Sequence, residues 1–238
     1  MPDAHFAHPR LAPLYDAFDS DRGDLPAYVA IVDSLRPERI VDVGCGTGTL
    51  ATVLAGLGYP VLGADPAEAS LAVARAKSST VQWLHAAADE LPALDADLAL
   101  MTGNVAQVFL SDEDWAAALR GVRGALRAGG HFVFEARRPE FRGWEEWAEY
   151  NAGSLDIPGV GVVDRRFALG EVRLPLVSFR YEFGFEDGTV LTSDSTLRFR
   201  SREEIEDSLR AARFDVLEVR DAPDRPGREN VFITKARP

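Results

Sequence analysis

The residues best placed to do chemistry sit in Gly44-Cys45-Gly46-Thr47-Gly48, directly after the apolar run Ile40-Val41-Asp42-Val43 and before a helical pattern. Three glycines in five residues, between a strand and a helix, let main chain approach a ligand closely, which a simple tight turn would not require. The spacing separates two ligand classes. A dinucleotide fingerprint would place its third glycine five residues after Gly44, where this chain has Thr49; here it comes one residue early, at Gly48. A second run, Leu62-Gly63-Ala64-Asp65-Pro66, sets a carboxylate at a strand end beside that loop, where it can accept both hydroxyls of a ribose. Asp65 could instead cap the following helix, since Asp-Pro is an ordinary helix start; the neighbouring glycine loop favours the sugar role. A third apolar run ends in Met101-Thr102-Gly103-Asn104, giving a small residue and an amide at the edge where such sheets bind ligands.

With Asp42, Gly44, Gly46 and Gly48 in this order, the chain resembles the class I S-adenosylmethionine-dependent methyltransferases. The resemblance implies S-adenosyl-L-methionine as cofactor and S-adenosyl-L-homocysteine as product. It places the amino-acid tail of the donor against main-chain amides of 44–48, with Cys45 in the loop and Asp65 and Pro66 at the sugar. After strand three the family usually carries an acidic residue near the adenine; here Ala87 holds that position, leaving adenine to backbone of Ala87 and Ala88, or to Asp89. Met101, Thr102 and Asn104 would lie along the donor.

Within the family the pattern is similar to the glycine N-methyltransferase branch, with its Gly-Asn pair matched by Gly103-Asn104 and its antiparallel insertion after strand five. That branch has an arginine near the substrate carboxylate. Glu135-Ala136-Arg137-Arg138 offers Arg137 or Arg138 there, and a solvated basic turn is the alternative. Tyr15-Asp16 resembles a pair that small-molecule methyltransferases place over the donor's methionine end, though Tyr15 could equally pack an amphipathic helix on the core. Arg137, Asn104 and Tyr15 are the candidate catalytic residues. Trp144 and Trp147, three apart on a possible helix, either line the substrate pocket or pack the insertion onto the core.

These residues need a sheet to hold them. Apolar runs at 39–43, 60–64, 81–85, 96–101 and 131–135 alternate with helical patterns at 26–35, 49–57, 67–77 and 112–127, the signature of successive βαβ units. From about 160 to 200 the pattern becomes strict alternation, with a hairpin signal at Asp187-Gly188. Ser201-Arg202-Glu203-Glu204 reads as a capping box opening a helix to about Ala212, followed by strands at Phe214–Arg220 and Asn230–Thr234. The expected fold is α/β: a doubly wound, mostly parallel seven-stranded sheet with a small antiparallel β insertion after strand five. One domain spans 1–238, with an N-terminal helical cap at 1–36 and a lid or substrate platform at 137–200.

Composition sets outer bounds. With 38 acidic residues against 26 Lys and Arg, the net charge of −12 disfavours nucleic acid and anionic membranes as partners. One cysteine forms no internal disulfide, and histidines at 5, 8, 85 and 131 have no metal-site spacing. A cytoplasmic protein, monomer or homodimer, is expected, since no export signal or membrane-length apolar run is present. The reaction implied is in-line methyl transfer to a small molecule. No histidine follows strand four to act as base, which tilts the expectation from oxygen towards nitrogen, and an anionic group on the acceptor would meet Arg137 or Arg138. The competing readings are a non-catalytic protein that binds S-adenosylmethionine and an NAD-dependent oxidoreductase.

Overall fold

The computed structural model describes residues 2–20 and 22–238. Short helices α1 (Ala4–Ala7) and α2 (Tyr15–Phe18) precede α3 (Leu25–Leu35), and the main sheet then begins with β1 (Ile40–Val43), buried at every position. The alternation continues through α4 (Thr49–Gly56), β2 (Val61–Asp65), α5 (Glu68–Lys77), β3 (Gln82–His85), β4 (Ala96–Met101), α6 (Asp112–Ala125) and β5 (Leu126–Arg137). After α7 (Trp147–Tyr150) comes a meander of β6 (Gly153–Ile157), β7 (Gly161–Arg173), β8 (Leu176–Phe185) and β9 (Val190–Arg198). The chain closes with α8 (Arg202–Ala211), β10 (Phe214–Asp221) and β11 (Glu229–Ala236).

The seven-stranded sheet has the order β10-β11-β5-β4-β1-β2-β3. Only β11 runs against its neighbours, pairing antiparallel with both β10 and β5. Side chains alternate across it and build two cores. Ala99, Met101, Phe132 and Phe134 face one side, with Trp115 of α6 and Leu209 of α8; Leu98, Leu100 and Val133 face the other, with Val32 of α3 and Leu54 of α4. Ser111 caps α6 by accepting from the Asp114 amide at 3.0 Å, and the Ser201–Glu204 box caps α8 as the sequence indicates.

Two boundaries differ from the sequence expectation. The sixth helix stops at Ala125 and β5 begins at Leu126, because a shift in register against β4 and a left-handed Gly129 (φ 77°) let the strand start before its apolar run. The antiparallel strands begin before the alternation expected from about 160, at β6, whose Gly-Ser-Leu-Asp-Ile is an exposed edge lacking the alternation that marks β7 to β9.

The antiparallel sheet, ordered β6-β7-β8-β9, turns Val163, Phe183 and Phe185 onto Leu11 and Leu14 of the N-terminal segment. That segment is fastened on two sides. The Ser70 hydroxyl of α5 donates to the Phe6 carbonyl at 2.9 Å, while the His5 amide donates to Ser193 Oγ at 2.8 Å and Ser195 Oγ donates to Asp3 at 2.6 Å. It thus bridges the main sheet and the insertion above the carboxyl ends of the parallel strands.

Candidate functional site

A cleft of about 1300 Å³ opens between those strand ends, the N-terminal segment and the insertion. Tyr15, Asp42, Gly44, Cys45, Gly46, Asp65, Pro66, Ala87, Thr102, Asn104, Arg137, Arg138 and Trp147 all line it. The volume exceeds the range of about 300–1,000 Å³ usual for one small ligand, leaving room for two reactants side by side.

Four expected site residues lie elsewhere. Met101 is fully buried and points into the α6 core, because the two-residue period of β4 sends it to the same side as Ala99. Ala88 is buried against α6, its carbonyl lying where a Cβ on Gly121 would stand. Gly48 packs under the Trp83 ring and Ala74, so it serves the fit of the loop on α5. Trp144 is 2 % exposed and stacks edge-on against Phe199 at 4.8 Å, holding the insertion rather than lining the cleft.

Gly44, Gly46 and Gly48 have φ of 71°, 54° and 78°, the left-handed region that glycine enters without strain. At Gly44 a Cβ would strike Val105, whereas at Gly46 it would meet open space within the cleft. The amides of this turn are largely committed within the protein. Gly44 and Cys45 both donate to the Ala64 carbonyl (2.8 and 3.1 Å), Gly48 to Cys45 (2.9 Å) and Gly46 to Asp65 Oδ2 (2.8 Å). The expectation that these amides meet the ligand tail is therefore corrected: the loop offers close approach of bare main chain, because its N–H groups already hold its shape.

Asp65 uses one oxygen on Gly46 and the other on the Ala67 amide at 2.7 Å. Helix-start and ligand roles are thus compatible, since an ionised carboxylate accepts about four hydrogen bonds and two remain for sugar hydroxyls. Burial pushes the Asp65 carboxyl up, opposed by the two amides. Asp42, under the loop, is raised to about 7, first by burial, with Arg22 opposing and Asp65 adding to the shift. Burial likewise drives the Cys45 thiol up, away from the reactive thiolate.

Behind the turn, Asp16 accepts from Thr47 Oγ1 at 2.7 Å and pairs with Lys77 at 2.6 Å, tying the N-terminal segment to loop and α5. Tyr15 lines the cleft with its phenol raised to about 12, mainly by burial. At the far side Arg137 donates to Gln107 Oε1 at 3.1 Å, lies 3.7 Å from Glu229 and stands over Trp147. Arg138 binds Asn230 (2.8 Å) and Asp221 (3.0 Å). Arg137 thus uses one of its five N–H donors on Gln107 and Arg138 two on Asn230 and Asp221, and both line the cleft.

The sequence reading missed the opposite wall. Phe179 and Tyr181, two apart on β8, face the cleft, and the alternation of that strand was the available signal. Glu229, Arg225 and Arg228 reach the cleft from the last turn and β11, a placement no local pattern announces. Among the described residues ten carboxyl side chains line the cleft against five guanidiniums, with Asp24 paired to Arg22 and Asp224 and Glu229 to Arg225. Among those residues no group of three His, Cys, Asp or Glu side chains could hold a metal ion, and no helix is long and apolar enough to cross a membrane.

The fold is that of the class I S-adenosylmethionine-dependent methyltransferases, and residues 40–130 match the family model described as a methyltransferase domain. A ubiquinone biosynthesis O-methyltransferase of Roseobacter denitrificans is 37 % identical over 75 residues, 30 % of each chain. A second protein of that description, from Dinoroseobacter shibae, is 44 % identical over 59 residues, 23 % of this chain and 24 % of that one. The chain thus aligns with under a third of the length of either relative. Solved structures align over nearly the whole chain. An S-adenosylmethionine-dependent methyltransferase from Clostridium acetobutylicum has a TM-score of 0.76 at 16 % identity, covering 96 % of this chain and 98 % of that one. A sugar N-methyltransferase from Streptoalloteichus has a TM-score of 0.74 at 19 % identity, covering 94 % and 93 %. These likenesses agree with the expected fold; none is specific to the glycine N-methyltransferase branch.

Proposed function

We propose that this protein transfers the methyl group of S-adenosyl-L-methionine to a small polar acceptor, with nitrogen favoured over oxygen. The observation that carries the reading is the pairing of Gly46, which leaves open space in the cleft, with Asp65, whose carboxylate is fixed beside it with accepting capacity to spare. The residues fit the cofactor. Gly46 gives room for close approach, Asp65 suits the ribose hydroxyls, and Ala87 and Asp89, which line the same cleft, suit the adenine edge.

S-adenosylmethionine supplies an electrophilic sulfonium methyl. The protein's part is to align an acceptor behind it and keep water out, and the N-terminal segment and antiparallel sheet form walls suited to both. The excess of carboxyl groups favours the positive donor and a basic acceptor, and offers sites for the proton an amine releases. Structural relatives include enzymes described as a sugar N-methyltransferase and an amino pentose methyltransferase with S-adenosylmethionine bound.

The test is turnover with donor labelled in its methyl group, using a panel of small amines, phenols and alcohols. Label is expected in amine products. Labelling of phenols alone overturns the nitrogen preference, and binding of the donor without label transfer to any acceptor favours a non-catalytic role.

A further inference from the structure

Asp19 closes α2 on the N-terminal segment, its side chain 36 % exposed and lining the cleft together with Tyr15, Phe18 and Tyr181. Its Oδ2 accepts from Arg165 Nη1 of β7 at 3.3 Å. Arg165 is 3 % exposed and stands over the rings of Phe18 (4.5 Å) and Tyr181 (5.3 Å), so the carboxylate and the aromatic faces already hold one cation from behind the wall. The pairing also fixes the carboxylate. Burial pushes the Asp19 carboxyl up, and the Arg165 charge opposes that shift. Among the described residues Arg165 makes the one hydrogen bond this carboxylate receives, whereas an ionised carboxylate accepts about four, so accepting capacity remains on a side chain that lines the cleft.

The position along the chain adds a second observation. Asp16, three residues earlier, accepts from Thr47 of the glycine turn, so Asp19 stands roughly one helical turn of 5.4 Å beyond the contact with the cofactor loop. That step carries it from the donor's loop to the antiparallel sheet, the wall left for an acceptor.

We propose that Asp19 receives the methyl acceptor, taking an N–H of a basic amine beside Tyr15 and Tyr181. This rests on the methyltransferase reading and narrows its substrate class: a carboxylate among aromatic rings suits an amine and repels an acceptor that presents a carboxylate or phosphate at that point. An N–H held by Asp19 also leaves the nitrogen lone pair free to face the sulfonium methyl, since the lone pair and the N–H bonds of an amine point apart.

Calorimetry with two probes tests it, S-adenosylhomocysteine and sinefungin, the analogue bearing an amine where the donor carries its methyl. Sinefungin is expected to bind the parent protein at least about tenfold more tightly than S-adenosylhomocysteine, and folded Asp19→Asn to lose that advantage to within about threefold. The ratio of the two affinities decides, because a carboxylate that only staples the N-terminal segment to β7 would change both by the same factor. Asp19→Asn strands the buried Arg165 charge; where it does not fold, Asp19→Asn combined with Arg165→Met removes both charges and makes the same comparison. A preference below about tenfold in the parent, or one that stays above about threefold in the folded variant, overturns the proposal. Failure of the parent to bind S-adenosylhomocysteine overturns instead the methyltransferase reading beneath it.

Discussion

The amide of Gly46 donates to Oδ2 of Asp65 across 2.8 Å, so the glycine turn after β1 and the carboxylate at the end of β2 are bonded to each other. A ligand gripped by one is therefore positioned by the other, and pre-organisation of this kind lowers the ordering cost of binding. The bond also separates glycines that shape the loop from the glycine that leaves room.

Gly48→Ala should reduce stability by about 2–5 kcal/mol, since the new Cβ combines a left-handed backbone with a clash against Trp83 and Ala74. Gly46→Ala should cost only about 1–2 kcal/mol, the price of the backbone conformation, because its Cβ meets nothing within 4 Å. Its effect should fall on cofactor affinity instead. Urea unfolding and calorimetry on both variants check the contrast; equal stability losses would contradict it.

Glu135 sets a pH dependence. Burial first, and then Glu229, raise its carboxyl to about 8, with Asn104 N–H and the Tyr28 hydroxyl as partners. A carboxyl raised in the folded state keeps its proton after the unfolded chain has lost it, so stability falls as pH climbs from about 4.5 towards 8, by up to about 1.4 kcal/mol per pH unit. Glu135→Gln mimics the protonated form and should flatten this decline. Denaturant midpoints measured from pH 5 to 8 decide; an unchanged slope would show that the group is ionised in the folded protein.

Trp144→Ala should destabilise by about 3–5 kcal/mol, the usual loss for a buried aromatic, while the folded fraction keeps its affinity for S-adenosylhomocysteine. Trp147 differs: it lines the cleft under Arg137, so Trp147→Phe should raise the acceptor KM with a smaller loss of stability. Thermal melts and steady-state kinetics compare the two. An acceptor KM raised equally by both would contradict the placement of Trp144.

Much of this architecture was legible in the sequence because it is written locally. The glycine turn, the βαβ alternation, the Ser201–Glu204 capping box and the Asp187-Gly188 turn each depend on residues a few positions apart. What stayed hidden depends on long separations. Glu229 meets Asn104 across 125 residues, and no pattern around either announces the other. Met101 was misplaced for a different reason: the strand end was visible but the face was not, since both sides of a doubly covered sheet are apolar. Trp144 and Trp147 show the same limit, as short irregular helices give each its own direction.

The most direct test of the central claim is calorimetric titration of S-adenosylhomocysteine into the parent protein and into Asp65→Ala, with folding of both verified by circular dichroism. One site per chain is expected in the parent and at least about tenfold weaker binding in Asp65→Ala, from loss of charge-assisted hydrogen bonds to the sugar. Equal affinity in the two folded proteins, or no binding to either, would contradict it.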